Sequence, residues 1–96
     1  MTHTPYINAA ATGHNIDRLR KRRELSVKDM QIEFGFTTPQ AIYKWFHGTS
    51  LPSLDNFVIL SVLLGVSMDD IIIIDAYTGN ATERIDDRRS AEKKRD

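Results

Sequence analysis

The chain has 96 residues, 41% of them hydrophobic, which is enough for one small domain but not for two separate cores. It has no cysteine, which excludes disulfides, thiolate metal sites and cysteine nucleophiles. The formal net charge is zero, but residues 1–50 carry seven Lys and Arg against four Asp and Glu, whereas residues 51–75 carry four Asp and no basic residue. The basic first half is compatible with a polyanionic partner.

The first residues predict a flexible arm and then a helix. Residues 1–11 are mostly small or polar and show little periodicity, so we expect an arm without fixed structure. Thr12 is the candidate cap of a first helix over about residues 13–24, whose inner face carries Ile16 and Leu19. This helix also carries a basic cluster, which can neutralise phosphates or simply form a solvated helix face. The cluster consists of Arg18, Arg20, Lys21, Arg22 and Arg23.

The second helix is marked at both ends by its residue types. Ser26 and Asp29 have the spacing of a capping box, in which each side chain accepts a hydrogen bond from the backbone N–H of the other residue. Met30 is a predicted inner residue, and Gly35 ends the helix. We expect Phe36 to fill the turn that follows.

The third helix, predicted over about residues 38–47, has two faces that differ in residue type. Thr38 is its candidate cap, Pro39 suits its first position, and Gly48 ends it. At about 100° per residue, one side collects apolar residues and the other collects polar ones. The apolar side has Ala41, Ile42 and Trp45, and the opposite side has Gln40, Tyr43, Lys44 and His47.

The polar side suits contact with base edges in duplex DNA. Gln can make two hydrogen bonds to adenine and Lys can donate to guanine O6 and N7, so Gln40 and Lys44 are candidates for reading bases. Tyr43 can touch a thymine methyl group with its ring or a phosphate with its hydroxyl. An ordinary solvated helix face is the alternative for all of these residues. Trp45 could serve as a stacking platform, but its place beside Ile42 favours the core.

Two further helices are predicted after a loop that contains Pro52. The fourth begins after Ser53 as its cap and ends at Gly65. Ser67 and Asp70 begin a short fifth helix with a second capping-box pattern. The residues of the fourth helix with a helical apolar period are Leu54, Phe57, Val58, Leu60 and Leu64.

Four consecutive isoleucines, Ile71 to Ile74, cannot all face one core from a helix. We expect Ile71 and Ile72 to be buried, and either Ile73 or Ile74 to be exposed or the run to become a strand, which β-branching favours. Both outcomes leave an apolar surface, so the sequence predicts a homodimer with Ile73, Ile74 and Tyr77 in its interface. Residues 76–96 mix both charge signs and predict a disordered tail.

Other functions find little support in the sequence. His3, His14 and His47 lack metal-ligand spacing, no nucleophile has a base beside it, and no Gly-rich phosphate loop is present. No apolar run is long enough to span a membrane, and no signal-peptide pattern opens the chain. We therefore expect a soluble cytoplasmic protein that is not an enzyme and that uses no metal, cofactor or small-molecule effector.

Six segments, in order and suitably spaced, carry a family resemblance. They are I-x-x-L-R at 16–20, L-S-V-K-D-M at 25–30, F-G-F at 34–36, I-Y-K-W at 42–45, G-T-S-L-P-S-L-D-N at 48–56 and L-L-G-V-S-M-D-D-I at 63–71. Together they resemble the helix-turn-helix domain of the phage repressor and xenobiotic-response-element family. The resemblance implies an all-α fold: a compact five-helix lambda-repressor-like domain over residues 12–75, with flexible tails and the third helix in the major groove of DNA.

The resemblance also implies roles for single residues. Base contacts are implied for Pro39, Gln40, Tyr43 and Lys44. Contacts with the DNA backbone are implied for Arg20, Lys28, Thr38, His47, Thr49 and Ser50. The sequence departs from the family in one extra residue between Gly35 and Gly48, which we place near residues 36–38. It also has Phe46 where the family often has a Glu that pairs with an Arg at the position of Arg20, so Arg20 is expected to stack on Phe46 or to reach a phosphate.

These observations predict a sequence-specific regulator of transcription, a repressor, that binds double-stranded DNA as a homodimer. The alternative is a protein-interaction module that keeps the fold, such as the antitoxin of a toxin–antitoxin pair.

Overall fold

Five helices and a three-stranded sheet make up the fold in the computed structural model, which describes residues 4–78 and 81–84. The helices are α1 (Ala9–Arg22), α2 (Val27–Phe34), α3 (Gln40–Phe46), α4 (Leu54–Leu64) and α5 (Met68–Ile71). The strands are β1 (Thr4–Ile7), β2 (Ile74–Thr78) and β3 (Ala81–Arg84). The predicted five-helix domain is confirmed, and the small sheet was not foreseen. Within the described ranges, none of the helices is long and apolar enough to cross a membrane.

The helix boundaries of α2, α4 and α5 are set by the local signals that the sequence contains. Ser26 Oγ accepts a hydrogen bond from Asp29 N at 2.9 Å, and Asp29 Oδ2 accepts one from Ser26 N at 3.0 Å. Ser53 Oγ accepts a bond from Asn56 N at 3.2 Å, and Ser67 with Asp70 forms the second capping box. The helix ends at Gly35, Gly48 and Gly65 have φ angles of 70°, 72° and 69°, a conformation that glycine adopts without strain.

The core lies between all five helices and contains the predicted inner residues of α1, α2 and α3. Trp45 is only 3% exposed, so its core assignment is confirmed. Phe36 fills the turn as expected: its ring stacks on Phe34 at 5.2 Å and meets the edge of Trp45 at 5.9 Å. The buried apolar residues are Ile16, Leu19, Met30, Ile42, Trp45, Phe46, Phe57, Leu60, Leu64 and Ile71, joined in one cluster.

Helix α1 packs against α3 through backbone rather than through side chains at two points. A Cβ atom on Gly13 would lie 1.8 Å from the carbonyl oxygen of Trp45. A Cβ atom on Gly48 would lie 2.7 Å from Cα of Ala10. The position of α3 is therefore fixed by contact with α1 as well as by its side chains in the core.

The predicted N-terminal arm is wrong for residues 4–11. Residues 4–7 form β1, and α1 begins at Ala9 with Asn8 as its cap, whose Oδ1 accepts a hydrogen bond from Ala11 N at 2.9 Å. Thr12 is not the cap but a buried residue inside α1, where its hydroxyl accepts a bond from Ile73 N at 3.0 Å. Asn8 is held as the cap by a distant residue, because its Nδ2 donates to Asp75 Oδ2 at 2.6 Å.

The sheet orders its strands β1-β2-β3, all antiparallel, with Ile7 opposite Ile74 and Asp75 opposite Arg84. The isoleucine run divides as the sequence allowed: Ile71 ends α5 and is buried, Ile72 packs on the core, and Ile74 begins a strand and is 37% exposed. Disorder was expected from residue 76, but β2 extends to residue 78 and β3 covers residues 81–84. The rest of the expected tail lies outside the described residues.

Helix α4 exposes two of the five residues that keep a helical apolar period in its sequence. Phe57, Leu60 and Leu64 are buried, as predicted, but Leu54 is 71% exposed and Val58 is 49% exposed. Ile59 and Val62 are exposed with them. Because α4 is apolar on nearly all sides, its sequence does not indicate which side turns to the core.

Candidate nucleic-acid interface

The exposed side of α3 contains the four residues that its sequence placed there. Gln40, Tyr43, Lys44 and His47 are exposed, whereas Ile42 and Trp45 on the opposite side are buried. The two-faced nature of this helix is therefore confirmed. That these side chains contact bases stays a prediction.

The start of α3 lies one residue later than predicted. Pro39 occupies the capping position, half-buried and with φ −85°, instead of the first helical position. Thr38 Oγ1 lies 3.5 Å from Gln40 N, longer than an ordinary N–H···O hydrogen bond, so it caps the helix weakly. Thr37 and Thr38 are exposed between the anchored Phe36 and Pro39, and this exposed stretch coincides with the expected position of the extra residue.

Tyr43 rests on a second ring inside the same helix. Its ring centroid lies 6.0 Å from that of Phe46, with the planes at 86°, an edge-to-face arrangement. Phe46 is 9% exposed and Tyr43 is 45% exposed, so Phe46 is a buried support for a half-exposed ring. Phe46 was expected only as a partner of Arg20, and its contact with Tyr43 was not predicted, although the spacing of three residues on a helix brings such side chains together.

Arg20 takes up one of the two positions that the sequence left open. Its guanidinium lies 5.2 Å from the centre of the Phe46 ring, so the stacking alternative is confirmed. Its Nε donates to Asp17 Oδ1 at 2.8 Å, and a terminal nitrogen donates to the carbonyl oxygen of Leu25 at 3.1 Å. The phosphate contact of Arg20 stays a prediction, and it would require these donors to exchange the acceptors that they have within the domain.

Two other members of the basic cluster also contact neighbours on α1. Arg18 donates from Nε and Nη2 to Asn15 Oδ1, at 3.2 and 2.7 Å. Lys21 lies 3.4 Å from Asp17 Oδ2 in an exposed ion pair. Exposed pairs of this kind contribute little to stability and leave the side chains free to exchange partners.

The N-terminal end of α2 presents Lys28 and a capping box to solvent. Lys28 is the second residue of α2 and is exposed in the first turn, at the positive end of the helix dipole. The hydrogen bonds that Asp29 accepts from the backbone N–H and the hydroxyl of Ser26 hold the pKa of Asp29 below its ordinary value of 3.8. The carboxylate is therefore ionised near neutral pH and keeps this end of α2 ordered.

The loop after α3 is tied back to the helix by its own backbone. The N–H groups of Thr49 and Ser50 both donate to the carbonyl oxygen of Lys44, at 2.9 and 3.4 Å. Both residues are exposed. Their side chains therefore lie next to the exposed side of α3, where contact with a DNA backbone was predicted.

The residues predicted for a dimer interface lie at the sheet. Ile73 is half-buried, Ile74 is 37% exposed, and Tyr77 lies in the middle strand between Thr4 and Thr82. The backbone of β2 is paired on both sides, so a second copy cannot add a strand there. An interface at these residues would have to use the face of the sheet, and it stays a prediction.

A family model described as helix-turn-helix matches residues 16–71, from the middle of α1 to the end of α5. No curated protein matches the chain.

Proposed function

Because the chain belongs to the helix-turn-helix family of the xenobiotic-response-element type, which binds DNA and is not a family of enzymes, we propose that it is a sequence-specific repressor of transcription. The observation that carries this proposal is the exposed side of α3. It combines Gln40, Tyr43 and Lys44, groups that can read bases, on a helix whose opposite side is fixed in the core.

The proposed contacts divide into those that read sequence and those that hold the backbone. Gln40 pairs with an adenine and Lys44 with a guanine in the major groove, with Pro39 and Tyr43 beside them. The remaining polar residues around α3 and at the start of α2 bind phosphates, which fixes the orientation of the domain but carries no sequence information. These residues are Lys28, Thr38, His47, Thr49 and Ser50.

Selection of binding sites from a random duplex library tests the proposal. We expect one preferred motif and a linear fall of log affinity against log salt concentration. Lys44→Ala should relax the preference at a single base pair and weaken binding to the selected site by about 1–3 kcal/mol. Lys28→Ala is the matched control: it should weaken binding to all duplexes alike and lower the salt slope by about one, without changing the motif. The proposal fails if no motif emerges and Lys44→Ala leaves weak binding unchanged.

We further propose that the protein acts as a homodimer in the cytoplasm, where it reaches the DNA that it regulates. Two copies related by a two-fold axis would read two half-sites about one helical turn apart. Sedimentation equilibrium at micromolar concentration, together with the symmetry of the selected motif, tests this. A monomeric mass combined with a motif that has no repeated half-site would contradict it.

One observation favours a protein-interaction module, such as an antitoxin, as a second candidate function. The outer side of α4 exposes Leu54, Val58, Ile59 and Val62, with Val62 exposed by 77%. A contiguous apolar surface of this kind often marks a protein contact. If the duplex selection gives no motif, and co-expression instead yields a stable complex that Val62→Asp abolishes, this second function replaces the first.

A further inference from the structure

We infer that Phe46 is a positioning residue, and that it fixes the ring of Tyr43 for contact with the 5-methyl group of a thymine. The inference rests on the proposed binding of duplex DNA. It starts from a chain of three side chains that the structure brings together on α1 and α3: Arg20, Phe46 and Tyr43.

The inner end of this chain is rigidly held. The guanidinium of Arg20 is fixed in its plane by Asp17 at 2.8 Å and by the carbonyl oxygen of Leu25 at 3.1 Å. Phe46 lies 5.2 Å from this guanidinium and is only 9% exposed. The Phe46 ring therefore has a cation on one side and the core around it, and it cannot turn away to accommodate Tyr43.

The outer end is half exposed and aromatic. The ring of Tyr43 meets Phe46 at 86° and 6.0 Å, which restricts its orientation before any ligand binds. The rest of the ring is exposed on the same side of α3 as Gln40 and Lys44. Tyr43 is thus a pre-oriented apolar surface between two polar side chains.

The chemistry of the major groove selects the partner of such a surface. The base edges there offer hydrogen-bond donors and acceptors, and the 5-methyl group of thymine is their apolar group. A phosphate contact would use the Tyr43 hydroxyl and leave the fixed ring in water. The thymine methyl group uses the ring itself, and a ring already held in place loses little freedom when it binds.

Replacing thymine with deoxyuridine removes this methyl group and changes nothing else on the base edge. Each thymine of the selected duplex is replaced in turn, and the affinity of the full chain is measured. One position should weaken binding by about four-fold, the factor associated with burying one methyl group. In Tyr43→Ala and in Phe46→Leu this factor should fall towards one, because the first variant lacks the ring and the second lacks its support.

Phe34→Leu is the matched control for Phe46→Leu. Phe34 is a half-buried ring packed against the core, and its ring contacts are with Phe36 and Trp45 at 5.2 and 5.3 Å. Phe34→Leu should be destabilised like Phe46→Leu, but it should keep the four-fold loss of affinity when thymine is replaced with deoxyuridine, which we call the methyl factor. If Phe46→Leu does not fold at the assay temperature, Arg20→Gln replaces it, since this change removes the cation under the ring and should also lower the methyl factor.

The outcomes separate the inference from the proposed function. A selected motif with no position sensitive to deoxyuridine would overturn the thymine contact while leaving sequence-specific DNA binding intact. An unchanged methyl factor in folded Phe46→Leu would overturn the positioning role. If no duplex is bound with any preference, the proposed function fails and the inference fails with it.

Discussion

Replacing Gly13 with alanine adds one methyl group at the place where α1 lies against the backbone of α3. The new Cβ atom would lie 1.8 Å from the carbonyl oxygen of Trp45 and 2.8 Å from its carbonyl carbon. Ordinary contact begins at 3.4 Å, so the two backbones would have to separate by about 1.6 Å. Neither backbone can turn aside in the way that the end of a flexible side chain can.

Two effects of opposite sign compete in Gly13→Ala. Helix propensity alone favours alanine over glycine by about 1 kcal/mol inside a helix. Forcing an atom into a packed interface costs about 1–3 kcal/mol and occasionally more, and here the contact is with backbone that cannot repack. Separation of α1 from α3 would also loosen the buried residues Ile16, Ile42 and Trp45. We expect a net loss of about 2 kcal/mol, which lowers the Tm of a domain of this size by about 10 °C.

Urea and thermal denaturation followed by circular dichroism measure this loss. Gly35→Ala is the control, because Gly35 has φ 70° and nothing within 4 Å of its added Cβ. Gly35→Ala should therefore lower the free energy of unfolding only through the left-handed backbone conformation, by about 1–2 kcal/mol. If Gly13→Ala proved as stable as the parent chain or more stable, helix propensity would have outweighed the contact and the packing argument would be wrong.

Three further predictions concern the core, α4 and the start of α2. Trp45→Ala should destabilise the fold by about 3–5 kcal/mol and leave little folded protein, as measured by the near-ultraviolet signal and by urea denaturation. Leu60→Ala should lower the free energy of unfolding, measured by urea denaturation, by about 2–5 kcal/mol. Val62→Ala, on the exposed side of α4, should change the same free energy by less than about 0.5 kcal/mol. Equal losses would contradict the orientation of α4 in the structure. Asp29→Asn should lower the Tm at neutral pH, because a depressed pKa means that the ionised form stabilises the folded state, and the difference from the parent chain should vanish as the pH falls below 3.8. A Tm difference that persisted unchanged at lower pH would show that ionisation of Asp29 is not its source.

The features that could be predicted from the sequence are those decided within a few residues. The capping boxes at Ser26 and Ser67 and the glycine at the end of α2 act through neighbours three or four positions away, so residue type was sufficient. The two faces of α3 followed from its period, because the apolar and polar residues separate cleanly on that helix. The edge-to-face contact of Tyr43 with Phe46 is also local, but it was not predicted. The stacking of Arg20 on Phe46 was one of two alternatives that the sequence left open.

The features that could not be predicted depend on distant partners or on uniform composition. Asn8 caps α1 while it is bonded to Asp75, 67 residues away, and no local pattern indicates that pairing. The sequence does not indicate a role for Gly13, because its importance comes from contact with the backbone of Trp45. Val58 shares the apolar period of Phe57 and Leu60 but is exposed. Because α4 is apolar on nearly every side, the period of its apolar residues does not fix the rotation of the helix.

The pairing of β1 with β2 makes the two ends of the described chain depend on each other. Asn8 N donates to the carbonyl oxygen of Ile73, and Asn15 Nδ2 donates to those of Asp70 and Ile71, so the first half of α1 is bonded to the end of α5 and to the segment after it. Closing a loop of this length is slow and entropically costly, and it is favourable only once the helices between have formed. The sheet should therefore form late in folding and stabilise the first half of α1. A fragment cut to residues 8–73 would keep all five helices but lose the sheet, and α1 should open more often in hydrogen exchange than it does in the longer chain.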